Sequence, residues 1–102
     1  MPTEHVRADY DELAAIAHEL QQEGFSVDSL IVRLRRCVDA LEYGGWIGRG
    51  ANNFYIEMHN DVFPALYRLA NALLDGGDAV TRISQILRGA EEEASALFRR
   101  HP

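Results

Sequence analysis

The chain has 102 residues, with 16 acidic side chains against 10 basic ones, a formal charge of −6 and 47% hydrophobic residues. That length allows a single domain and excludes the larger enzyme architectures, such as a dinucleotide-binding sheet or an α/β barrel. Net acidity argues against nucleic acid as a partner, because neutralising phosphates needs clustered basic residues. A chain this short also leaves much of its surface in water when it folds alone, so association with another chain is expected from the outset.

The amino terminus, Met1 to Arg7, lacks the basic and apolar regions of a signal peptide. No apolar run approaches the roughly 18 residues of a membrane span. Neither a cleaved signal nor direct membrane insertion is therefore expected.

From Val6 onward the apolar residues fall into a 4-3 spacing: Val6, Tyr10, Leu13, Ala17, Leu20, Gly24, Val27, Ile31, Leu34, Val38 and Leu41. Ten of these eleven are hydrophobic, where composition alone would give about five, which is the signature of an amphipathic helix. Gly24 interrupts the stripe. A glycine in a helix interior costs about 1 kcal/mol relative to alanine, and Gly24-Phe25-Ser26 is a candidate bend. The stripe nevertheless keeps its phase, which predicts one helix over about 6–42. Cys37, the only cysteine, forms no intramolecular disulfide; beside Val38 it reads as a small buried hydrophobe, with an intermolecular disulfide as the sharper alternative.

Residues 43–50, Tyr43-Gly44-Gly45-Trp46-Ile47-Gly48-Arg49-Gly50, carry four glycines in eight positions. Glycine ends helices because it accepts the left-handed conformation, so the turn is predicted here. A second stripe follows through Tyr55, His59, Val62, Leu66, Leu69, Leu73, Gly76, Val80, Ile83, Leu87, Ala90, Ala94 and Leu97, predicting a second arm over about 51–98. Pro64 lacks the amide a helix interior uses, so a kink is expected near Asn60 to Phe63. Gly76-Gly77 weakens the arm without shifting its phase, and a continuous helix is expected there.

The predicted fold is all-α: an antiparallel helical hairpin with Trp46 and Gly48 at its apex. The second arm also carries Ile56, Phe63 and Ala70 on one flank and Met58, Ala65, Ala72, Ala79 and Ile86 on the other. Such an arc is wider than one helix covers, and each large apolar side chain left in water forgoes about 1.5–3 kcal/mol. Two hairpins are therefore expected to pair into a four-helix bundle. Its packing residues would include Leu13, Leu20, Ile31, Leu34, Phe63, Leu66, Leu69, Leu73 and Ile83.

A chain of this length, with two long helices and Trp46-Ile47-Gly48 at the midpoint followed by Ala51 and Phe54, resembles the WXG family of small type VII secretion substrates. The likeness runs from about Tyr10 to Phe98, and includes Pro64-Ala65-Leu66 and the closing stretch from Ala90 to Phe98. It implies a non-enzymatic protein, exported folded as a homodimer or as a heterodimer with a related hairpin, with a membrane ATPase of the secretion system as a further partner. The resemblance also implies a carboxy-terminal export motif, Tyr-x-x-x-Asp/Glu. Here the matching frame is Leu87 to Glu91, with leucine in the tyrosine position, so the motif would be supplied by a partner chain or the protein would not be a substrate by itself. The expected location is the medium, reached without a cleavable signal, or the cytoplasm before export. The alternative is a cytosolic helical adaptor or targeting chaperone for a larger secreted toxin.

Enzyme chemistry finds little footing. His5, His18, His59 and His101 are scattered, and the Glu-x-x-His spacing of a bundle metal site fails because Ala15 and Ile56 hold the required positions. His59 is expected at a bundle end or as a half-exposed core residue. No catalytic residue, metal or cofactor is expected. Arg33-Leu34-Arg35-Arg36 and Glu91-Glu92-Glu93 read as solvated faces, or more sharply as charges that set partner choice and orientation.

Overall fold

The computed structural model describes residues 2–100 of the chain, and side chains from Asp9 to Arg100. Val6, His5 and His101 lie outside the described side chains. Helix α1 runs Pro2–Tyr43 without interruption, passing straight through Gly24. A short turn leads to α2, Arg49–Glu57; a π-helical turn, Met58–Val62, joins it to α3, Phe63–Arg100. The second arm stays helical through Gly76-Gly77, as its phase predicts. The arms pack antiparallel as a helical hairpin measuring 80 × 19 × 15 Å. Among the described residues no helix is long and apolar enough to cross a membrane.

The expected disturbance at Pro64 takes the form of the π turn. In an α-helix the amide of residue 64 would bond the carbonyl of Asn60, and proline has no such hydrogen. The chain widens before it instead: the Phe63 amide donates to the carbonyl of Met58, five residues back. One extra residue in a turn advances everything after it by one position.

That advance moves the seam. On α1 the buried positions are Tyr10, Ala17, Gly24, Ile31 and Val38, an unbroken seven-residue repeat. On the second arm Ala51 and Met58 are buried before the π turn, and Phe63, Ala70 and Gly77 after it. Phe63 and Ala70, assigned from the sequence to a flank, thus form the centre line, while Val62, Leu66, Leu73, Gly76 and Val80 are half-buried beside it. Leu13, Leu20 and Leu34 are likewise half-buried. Leu69 and Ile83 are 47% and 50% exposed within the hairpin.

The packing is uneven along the seam. Near the turn, Ile31, Val38, Met58 and Phe63 form the main cluster, enclosed by Val27, Leu34, Phe54, Tyr55, Val62 and Leu66. Burying Phe63 there removes a large ring from water, and truncating such a residue to alanine costs about 3–5 kcal/mol. Further along, small residues let the backbones close up. A Cβ built at Gly77 would come 2.8 Å from Gln21 Cγ and 3.0 Å from the Ala17 carbonyl, and one at Gly24 would come 2.8 Å from the Leu74 side chain.

Adjacent glycines therefore differ. A Cβ at Gly76 meets only Leu20, at an ordinary 3.6 Å. Gly76→Ala should raise stability by up to about 1 kcal/mol through helix propensity, whereas Gly77→Val should lower it by about 1–3 kcal/mol through overpacking. Urea unfolding followed by far-ultraviolet circular dichroism measures both.

Candidate functional site

The Trp-x-Gly turn is built from backbone requirements. At the end of α1, Gly44 donates its amide to the Ala40 carbonyl at 2.8 Å. Gly45, at φ +88°, then takes the left-handed conformation, and the Trp46 amide donates to the Leu41 carbonyl at 3.0 Å. With the longer Gly45 to Glu42 contact of 3.4 Å, this is a Schellman cap, in which Trp46 is the residue just past the left-handed glycine. Gly48 caps the start of α2 at φ +122° and ψ 178°, a region open essentially to glycine alone, and its carbonyl accepts from the Asn52 amide at 2.9 Å. In Trp46-Ile47-Gly48, tryptophan thus completes the stop of one helix and glycine begins the next.

The Trp46 ring folds back on α2. It packs edge-on against Phe54 and Tyr55, with ring centroids 5.4 and 5.7 Å away, and the Tyr55 hydroxyl donates to the Trp46 carbonyl at 2.8 Å. Burial first, and then the Glu42 carboxylate, push the Tyr55 phenol above its ordinary pKa, so it holds its proton as the donor. One turn on, His59 Nε2 lies 2.9 Å from Glu42 Oε1, tying the π turn to the end of α1. This is the ion pair found among the described residues, with both side chains well exposed. Ile47 and Tyr43 project into solvent beside the motif.

The two broad surfaces of the hairpin differ. Gln21, Arg35 and Glu42 each lie four residues past a buried α1 position, hence on one side of the seam. Each meets the second arm there. Gln21 Nε2 approaches Asp78 Oδ1 at 3.4 Å, and Glu42 meets His59. Arg35 Nη2 donates to the Tyr67 hydroxyl at 3.1 Å while its guanidinium covers the Phe63 ring at 4.8 Å. The other side carries Leu13, Ile16, Leu20, Leu30, Leu34 and Leu41 from α1 and Leu66, Leu69, Leu73, Ile83 and Leu87 from α3. Ile16, Leu30, Leu41, Leu69, Ile83 and Leu87 are all exposed on it. Cys37 lies on this side and is exposed, contrary to the buried role expected of it; it stands one residue before the seam position Val38 rather than in the seam.

At the open end of the hairpin, the degenerate export frame is in contact with α1. Leu87 is 47% exposed. Glu91 Oε2 accepts the Tyr10 hydroxyl at 2.8 Å, and the Arg88 guanidinium lies 4.8 Å from the Tyr10 ring centroid. Burial, and then the hydrogen bond to Glu91, raise the Tyr10 pKa. A groove of about 400 Å³ opens between Tyr10 and Leu13 on one helix and Leu87, Ala90 and Ala94 on the other. The Tyr10–Glu91 bond and the Arg35 stack join residues from different arms, and the aromatic clasp joins the turn to α2, so none of them is legible from helical spacing. Among the described residues, no cluster of His, Cys, Asp and Glu is arranged to hold a metal ion.

The chain matches no family model, no curated protein and no solved structure.

The two glycines nearest Trp46 on its carboxyl side separate backbone need from composition. Gly48→Ala forces a side chain into a glycine-only conformation and should cost about 1–3 kcal/mol. Gly50→Ala, where an added Cβ meets nothing, should be neutral or mildly stabilising. Thermal unfolding of the two variants tests the difference.

Proposed function

We propose that this is a non-enzymatic protein of a type VII-like secretion system, exported as a folded pair of helical hairpins and belonging to the WXG family. The observation that carries the reading is the placement of Trp46-Ile47-Gly48 as the stop and start of two long helices at the apex of the hairpin. The exposed apolar side gives the pairing a physical cause: its leucines and isoleucines are stabilised by a second hairpin laid over them. Functional work in this account is done by surfaces, with the membrane ATPase recognising the paired bundle.

A second reading rests on Leu87. With leucine in the tyrosine position of the export frame, the chain either travels with a partner that supplies the motif or stays behind as an adaptor for a larger secreted toxin. Glu91, the acidic residue of that frame, is already engaged by Tyr10 of the other helix.

The readings separate in culture. Export predicts the protein in the medium while a cytosolic marker is absent, and its loss from the medium when the type VII ATPase is deleted. Retention in the cytosol in both strains overturns export and favours the adaptor. Leu69→Asp, which puts a charge on the apolar side without touching the seam, should weaken pairing by at least about tenfold and reduce export with it.

A further inference from the structure

We propose that the groove at the open end of the hairpin binds a primary ammonium carrying an apolar chain or ring, with the hydrocarbon in the groove and the charged head at Asp9 and Glu91. The sequence makes this groove by a change of side-chain size. Ala90 and Ala94 stand three seven-residue steps past Leu69 and Leu73, so methyl groups replace branched chains on that side of α3, while α1 still presents Leu13 opposite them. The space left is about 400 Å³, within the range of small-molecule sites. The proposal depends on neither export nor pairing.

The lining sets the charge of the occupant. Asp9 and Glu91 face the groove from opposite helices, and apart from the Tyr10 phenol the remaining lining side chains are aliphatic. Among the described residues neither carboxylate has an ion-pair partner. Glu91 Oε2 accepts the Tyr10 hydroxyl at 2.8 Å, which fixes the carboxylate against α1 and leaves it further lone pairs for a second donor. Arg88 is stacked on the Tyr10 ring at 4.8 Å and does not line the groove. A primary ammonium brings three donors to two carboxylates, and hydrogen bonds between ionised partners are the strong ones.

The surrounding field has the same sign. Over 9–25 and 75–100, the open-end half, ten carboxylates stand against four arginines; over 26–74, the apex half, five stand against five. The whole formal charge of −6 thus lies around the groove, where it draws cations in and repels anions. A carboxylate or phosphate amphiphile would meet like charge at both Asp9 and Glu91. A neutral alcohol would bury its chain equally well and forgo the charged hydrogen bonds. A bare metal ion would make no use of the aliphatic floor.

Titration of the full chain with n-octylammonium, octanol and octanoate, followed by methyl-resolved nuclear magnetic resonance, tests this. Octylammonium should give saturable shifts centred on Leu13, Leu87, Ala90 and Ala94, and should bind about tenfold more tightly than octanol, with octanoate weaker still. Asp9→Asn combined with Glu91→Gln, which keeps an acceptor for Tyr10, should bring octylammonium down to the affinity of octanol and leave octanol unchanged. Ala94→Leu, which fills the groove, should abolish the binding of both. Circular dichroism confirms that each variant keeps its helices. Octanol or octanoate binding as tightly as octylammonium overturns the proposal. So do shifts spread along the apolar side to Ile16, Leu30 and Leu41, or undiminished binding by Ala94→Leu.

Discussion

Pro64 has no amide hydrogen, and much of this molecule follows from that. The turn before it widens so that Phe63 bonds Met58, and α3 enters one residue out of step with the pattern that precedes it. Phe63, Ala70 and Gly77 thereby become the line that meets Ile31, Gly24 and Ala17 on α1. Without the extra residue, Val62, Leu69 and Ile83 would occupy that line. With it, Leu69 and Ile83 turn onto one side of the hairpin, where they join Ile16, Leu30 and Leu41 in solvent.

The result is a molecule with two unlike sides. Side chains four residues past the α1 seam tie the arms together through polar contacts, as Arg35 does with Phe63 and Tyr67. Those ties are exposed and individually modest, on the order of 1 kcal/mol or less each. The hydrophobic cluster near the turn supplies the larger share of cohesion, and the small-residue stretch beyond it trades side-chain volume for closeness of the backbones. The Trp-x-Gly motif belongs to the same economy of construction: Gly45 and Gly48 hold conformations that other residues resist, and Trp46 closes over Phe54 and Tyr55.

The hairpin was legible in the sequence because helical periodicity depends only on which residues avoid water. The 4-3 spacing of α1 appears in the structure residue for residue from Tyr10 to Val38. The four-glycine segment marked the turn because left-handed backbone has few other occupants. The second seam was misphased for a specific reason: Pro64 announced a disturbance, but spacing alone does not say whether a helix kinks or takes in an extra residue, and those outcomes rotate α3 differently. Cys37 was misplaced by a smaller error, since adjacency to a buried position along a helix is a step of about 100° around it. Cross-arm contacts such as Tyr10 with Glu91 depend on the register between helices, which no single-helix pattern encodes.

The rotation of α3 by the π turn is the central claim, and nuclear Overhauser contacts in a sample mixing labelled and unlabelled chains test it most directly. Within one chain, the Phe63 ring should contact the side chains of Ile31 and Val38, and Leu69 and Ile83 should give no contact to the buried side chains of α1; any contacts those two residues make to buried apolar protons should be between chains. Contacts from Leu69 or Ile83 to Gly24 or Ala17 of the same chain, with Phe63 free of Ile31 and Val38, would contradict the account.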